Sequence, residues 1–356
     1  MRNRPAMLFI ILLVIFVVPY QTPEVEAHSS CSEINALFLV GTGFGWSYFG
    51  AKSYLESWGV NVTTVSRFVS TEVQSCPNKE LRPITADVLL SDFDMDHIAE
   101  YDCIYIPSGP HWQGLADSQR VKDFITAAHE ARLVIATQCT GNVALARMDN
   151  LTTDTMVTDY LFANMDLLHP EAIQVDSTVV IDNRLVTGES GGGYAGIGGI
   201  GVESVPIYEV CTALVRAVIG SSFVQSAIIE PLGGENAGSY TISVETTNPY
   251  VVLPEVNTTE ISVVNAVAYR RSNFSNHVAS IQLSDDDHDG IYTGVIAEMQ
   301  EDYIIAIEVE DDIGIFEVVR DTVRIAEFPL LTASMVVIGG FLVAIVGIVL
   351  WKKKIK

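Results

Sequence analysis

One cysteine, Cys139, sits in the segment whose residue order best suggests covalent chemistry. In Leu133-Val-Ile-Ala-Thr-Gln-Cys139-Thr140-Gly141-Asn142-Val-Ala-Leu-Ala146 a buried-strand pattern runs straight into a helical one through the thiol. A strand, a nucleophile and a helix in direct succession make a nucleophile elbow, which lifts the side chain above the carboxyl edge of a sheet, where open α/β folds place their sites. At a helix N-terminus the dipole and the free N–H groups also favour thiolate. The chemistry implied is thiolate attack on an electrophilic carbon. The alternative reading is a buried packing cysteine.

A second group is Asp285-Asp286-Asp287-His288-Asp289-Gly290. Carboxylates at 285, 287 and 289 followed by glycine match the opening of a calcium loop, whose alternate side chains turn toward one hard cation. The twelfth position is Ile296 rather than glutamate, and the flanks read as strands. Ca2+ coordination therefore stands beside a solvated acidic turn in a hairpin.

Cys139 needs a sheet to stand on, and the chain from Asn35 to about Gly220 supplies the pattern of one. Short apolar runs alternate with amphipathic stretches, as a parallel α/β sheet requires. Strands are expected at Ala36 to Val40, Val60 to Ser66, Cys103 to Pro107 and Leu133 to Thr137, with a hairpin from Val179 to Thr187 across Asp182-Asn183. Helices are expected at Tyr48 to Trp58, Ala116 to Glu130 and Val202 to Ile219. From about Phe223 the texture becomes strand-like throughout. Segments at Tyr240 to Glu245, Glu260 to Tyr269, Val278 to Leu283, Tyr292 to Ala297, Tyr303 to Glu310 and Ile315 to Ile325 suit an Ig-like β-sandwich.

Three segments carry a family resemblance. Tyr101-Asp102-Cys103-Ile-Tyr-Ile-Pro107-Ser108-Gly109, Ala136-Thr-Gln-Cys139-Thr140-Gly141, and Val180-Ile-Asp182-Asn-Arg-Leu-Val-Thr187 with its following glycine run resemble the DJ-1/PfpI family of the class I glutamine amidotransferase-like superfamily. The Cys-Thr-Gly version is nearest to isonitrile hydratase-like members. The resemblance implies a flavodoxin-like α/β/α sandwich, often dimeric, with Cys139 as nucleophile and the N–H groups of Thr140 and Gly109 as an oxyanion pocket. It also places Ser47 where relatives carry an acid on the first helix, and a serine cannot accept the thiol proton at neutral pH. Asp159 stands where relatives carry a histidine. His169, in His169-Pro170-Glu171, and His111, after the Pro107-Ser108-Gly109 turn, are the histidine candidates for a catalytic partner. The α/β part implies no cofactor.

The 356 residues hold 20 basic and 44 acidic groups, a net of −24, yet only 18% are charged and the mean hydropathy is +0.31. Apolarity and acidity occupy different stretches. Arg2 and Arg4 precede an apolar run from Met7 to Val18 and the small-residue site ending at Ala27, the order of a signal peptide over 1–27, with an uncleaved anchor as the alternative. Leu330 to Trp351 is uncharged and would span about 33 Å as a helix, followed by Lys352, Lys353, Lys354 and Lys356. A type I membrane protein is expected, with 28–222 as the α/β domain, 223–328 as the β-sandwich, 329–351 as the transmembrane helix and 352–356 as a cytoplasmic basic tail. The external part then carries 14 basic against 42 acidic residues, a net of −28, which excludes nucleic-acid binding. Of the five cysteines, Cys31 and Cys76 fall in polar stretches and could be bridged, while Cys103 and Cys211 fit buried positions. Two kinds of function remain open: a cysteine-dependent hydrolase or hydratase acting on small electrophilic or amide substrates, and a non-catalytic ligand-binding, adhesive or redox-sensing surface protein.

Overall fold

Apolar residues at every position from Ala36 to Val40 call for a strand covered on both faces. That strand is β1 (Asn35–Val40), with Ala36, Phe38 and Val40 in one core and Leu37 and Leu39 in the other, all fully buried. The structure, a computed structural model, describes residues 30–68, 70–76, 82–148, 151–158, 172–189, 206–232, 238–247, 260–270, 273–297, 303–320 and 323–325.

A glycine turn leads from β1 into α1 (Ser47–Ser57), which buries Tyr48, Ala51 and Leu55, and the chain returns as β2 (Asn61–Ser66). Short strands β3 (Glu72–Val73), β4 (Ile84–Thr85) and β5 (Val88–Leu89) precede β6 (Cys103–Ile106). The helix expected from about Ala116 to Glu130 is α3 (Gln119–Glu130), which starts at Gln119 because Ser118 caps it by accepting from the Val121 N–H at 3.4 Å; a short α2 (Trp112–Ala116), not expected from the sequence, precedes it. β7 (Val134–Gln138) then passes through Cys139 into α4 (Thr140–Ala146). β8 (Met156–Thr158) and β9 (Ile173–Val175) pair in parallel. β10 (Val179–Asp182) and β11 (Leu185–Gly188) make the expected hairpin, turned by Asn183 at φ 58°. α5 (Ile207–Ile219) follows and ends on Gly220 at φ 68°.

Strands β5, β2, β1, β6, β7 and β11 lie side by side, every pair parallel. α1 and α5 cover one face and α3 the other, which is the flavodoxin-like layering.

The later strands are β12 (Val224–Pro231), β13 (Tyr240–Thr246), β14 (Ile261–Arg270), β15 (Asn273–Gln282), β16 (Ile291–Ile296), β17 (Tyr303–Asp311), β18 (Ile315–Val319) and β19 (Val323–Ile325). The sequence suggests an Ig-like β-sandwich over 223–328 here; in the structure its strands are joined to the α/β sheet. β18 adds in parallel to the outer edge of β10, from Val179 opposite Ile315 to Asp182 opposite Val318. β17, β14 and β15 follow antiparallel, so one sheet of eleven strands, ordered β15-β14-β17-β18-β10-β11-β7-β6-β1-β2-β5, runs through both parts. β16, β13, β12 and β19 form a second sheet whose Ile229, Ile242 and Val244 share a continuous core with Phe38 of β1 and Val210 of α5. Hydrophobic alternation specifies a strand but not the edge it joins, and β10 offered an open one. For the same reason the expected strand from Ile315 to Ile325 is two strands in different sheets.

Buried charge ties the parts together. Arg216 of α5 pairs with Glu317 of β18 and lies 3.6 Å above the Phe223 ring. Glu317 also accepts from the Phe223 N–H at 3.1 Å. Arg320 grips both carboxylate oxygens of Asp182 at 2.7 and 2.8 Å. Cys103 and Cys211 are buried as expected; Cys31 is buried as well, and none of the five cysteines is in a disulfide. The leader over 1–27, the anchor over 329–351 and the tail over 352–356 lie outside the described residues. Among those described, no helix is long and apolar enough to cross a membrane.

Candidate functional site at Cys139

Cys139 adopts φ 54° and ψ −122°, a backbone conformation that residues with a Cβ rarely adopt. The surroundings hold it there. Its N–H donates to the Gly188 carbonyl at 2.9 Å, and its carbonyl accepts from the Asn142 N–H at 3.0 Å. The Asn142 side chain donates to the same Gly188 carbonyl at 3.0 Å and accepts from the Thr137 hydroxyl at 2.6 Å. Two glycines allow the close approach: a Cβ on Gly141 would lie 2.6 Å from the Ile106 carbonyl, and one on Gly188 would lie 2.2 Å from Val210. The thiol residue is 8% exposed, at the carboxyl edge of β7.

Facing it is the loop after β6. Gly109 has φ 122°, and a Cβ there would come within 2.4 Å of the Gly43 carbonyl and 2.5 Å of the Gly45 nitrogen. Glycine is therefore required for this loop to lie against the turn after β1. The sequence pairs Gly109 with Thr140 as N–H donors, and the structure brings the two residues together. The Gly109 N–H donates to Thr140 Oγ1 at 2.6 Å, and the Thr140 hydroxyl donates to the Gly109 carbonyl at 2.9 Å. The Gly109 donor is thus held by a side chain in this state.

Ser47 is buried at the first position of α1. Its hydroxyl accepts from the Ser108 N–H at 2.7 Å and donates to Ser108 Oγ at 2.9 Å, which fixes the loop beside the thiol. His111 is buried between the same two turns. Its Nδ1 accepts from the Gly41 N–H at 3.1 Å and its Nε2 donates to the Pro107 carbonyl at 2.8 Å. Burial pushes this imidazole down to about 4, so it is neutral. With both nitrogens bonded to backbone, His111 brackets the turns and presents no base to Cys139. Asp159, His169 and the glycine run from Gly191 lie outside the described residues.

Two side chains at the site escaped the sequence reading. Tyr105 and Gln138 are fully buried, and the phenol donates to Gln138 Oε1 at 2.7 Å. Burial pushes the phenol well above its usual range, so it keeps its proton. The available signal was two polar side chains interrupting otherwise apolar strands.

Asp285, Asp287 and Asp289 stand together with ligand atoms within 4.8 Å of one another. Their turn also closes on itself. The two Asp285 oxygens accept from the N–H groups of Asp289 and Gly290, both at 3.1 Å, and Asp289 accepts from Ile291 N–H at 2.9 Å. The residues are compatible with a hard cation, and the turn has its own hydrogen bonds.

No curated protein matches the chain. Solved structures similar to it include a DJ-1 superfamily protein from Salmonella typhimurium, at 21% identity and TM-score 0.42, covering 52% of this chain and 91% of that one. A ThiJ/PfpI domain protein from Brachyspira murdochii aligns at 21% identity and TM-score 0.43 over 53% of this chain and 98% of that one. DJ-1beta from Drosophila melanogaster aligns at 20% identity and TM-score 0.42 over 53% and 91%. The DJ-1/PfpI family model matches residues 35–195, from the first residue of β1 to beyond β11. Residues 35–195 of this chain are a DJ-1/PfpI family domain.

Proposed function

We propose that this protein uses Cys139 as a nucleophile toward small electrophilic substrates carrying a carbonyl or amide group. The observation that carries this reading is the positive φ of Cys139, held by Gly141, Gly188 and Asn142 between β7 and α4. A packing cysteine needs no such backbone, whereas a nucleophile raised at a strand–helix turn does. Attack would form a bond from sulfur to the substrate carbon and place negative charge on the substrate oxygen. At pH 7 iodoacetamide should label Cys139 selectively in the full chain, and Cys139→Ser should abolish that label. A thiol at 139 that stays unlabelled while the protein is folded would overturn the reading.

A second reading is a ligand-binding protein that keeps the fold without turnover. Its support is specific: Ser47 stands in the acid position and is engaged by Ser108, and the Gly109 N–H is engaged by Thr140. Turnover of a small amide, isonitrile or aldehyde that depends on Cys139 would reject it. The leader over 1–27 and the uncharged run over 329–351 support a place at the cell membrane with the α/β domain outside, and membrane fractionation with external protease tests that placement. For the acidic turn, Ca2+ binding at Asp285, Asp287 and Asp289 is tested by calorimetric titration.

A further inference from the structure

Cys139 is flanked by two residues, each hydrogen-bonded to β6 or to the loop that follows it. Gln138 on one side accepts from the Tyr105 phenol; on the other side Thr140 exchanges two bonds with Gly109, next to the Ser108 that Ser47 holds. One polar atom among these groups is unmet. Gln138 is 0% exposed, its Oε1 is fixed by the Tyr105 phenol, and its Nε2 has no hydrogen-bond partner among the described residues. A buried amide donor left unmet is destabilising, so a fold that retains one on the residue next to a strained thiol invites a ligand acceptor there.

The loop donor expected of the site is meanwhile occupied, because Gly109 N–H already meets Thr140 Oγ1 at 2.6 Å. Resting on the nucleophile reading of Cys139, we propose that Gln138 is the oxyanion donor of this site: its Nε2–H2 group receives the carbonyl oxygen of the substrate, with Tyr105 as the positioning residue that aims it. The step balances as an acyl transfer. The thiol first gives its proton to solvent; the sulfur electron pair then forms the bond to the carbonyl carbon, and the C=O π pair moves to oxygen, where Gln138 N–H stabilises it. Collapse re-forms C=O and expels the leaving group with its electron pair. The substrate class is a small, neutral acyl compound such as an ester or amide.

The test compares two reagents on the full chain. p-Nitrophenyl acetate acylates a thiol through an oxyanion, and iodoacetamide alkylates it by displacement at a saturated carbon without one. Gln138→Met, close in volume and lacking the donor, should lower the acylation rate of Cys139 by about 100-fold while the alkylation rate changes by less than about 3-fold. Tyr105→Phe, which keeps the donor but releases its aim, should lower acylation by about 10-fold, again with little effect on alkylation. A role in packing alone would lower both rates together or neither, and either of those results in folded variants overturns the proposal for Gln138. Wild-type protein that neither reagent modifies at Cys139 overturns the nucleophile reading itself.

Discussion

His111 is the residue whose environment makes the sharpest demand on conditions. Its imidazole is neutral in the fold, with its pKa pushed to about 4 from an ordinary 6.5 because burial excludes the charged form. Between those two values the unfolded chain binds a proton that the folded chain does not, so stability rises with pH across that window. The contribution is fully present above about pH 6.5 and is lost as pH falls toward 4, amounting to about 3 kcal/mol. Urea unfolding at pH 7 and pH 5 should show the loss, and His111→Gln, which cannot titrate, should flatten that part of the profile. Gly109 makes a steric demand instead. With φ 122° and backbone 2.4 Å from where a Cβ would sit, Gly109→Ala should cost about 2–4 kcal/mol and displace the loop from Thr140. Thermal denaturation measures the first, and a native midpoint in the variant would show that the loop yields freely.

At the scale of elements, α5 and β18 meet through one buried ion pair. Arg216 and Glu317 are 1% and 9% exposed at their side chains, so removing one partner leaves the other charge in a low-dielectric seam. Glu317→Ala should therefore cost about 3–5 kcal/mol, whereas replacing both residues with apolar ones of similar volume should cost far less. A chemical denaturation series over the two single variants and the double variant checks this, and additive losses would deny the coupling. Elements of this kind explain what the sequence discloses and what it hides. The apolar runs at Ala36 to Val40 and Leu133 to Thr137 are readable because burial on both faces leaves a local pattern. Cys139 is readable for the same reason, since strand and helix patterns adjoin at it. Arg216 and Glu317 lie 101 positions apart and Tyr105 and Gln138 lie 33 apart, so no local pattern joins them. The start of α3 at Gln119 rather than Ala116 turns on one serine cap, which helical propensity leaves unmarked.

At the scale of the molecule, β10 decides how many folding units there are. In an α/β sandwich standing alone, the side of β10 away from β11 would be an open edge; here β18 occupies it from Val179 to Asp182. Edges that are paired in the native sheet become sites of association when bared. The second sheet contributes Val224 and Ile229 of β12, which share a core with Phe223 and α5, so losing it would also uncover the flank of that helix. Both parts should then unfold together. Three of the four tryptophans, Trp46, Trp58 and Trp112, lie in the α/β part and Trp351 lies outside the described residues, while the far-UV signal reports strands throughout, so fluorescence weighted to the α/β part is compared with circular dichroism of the whole. Their urea transitions should coincide, as one cooperative unit requires. A chain ended at Ser222 would bare the β10 edge and remove Glu317 from Arg216, and it should aggregate or lose its cooperative transition. A soluble, cooperatively folded fragment with the midpoint of the full protein would mean that the continuous sheet adds nothing to the stability of the α/β part.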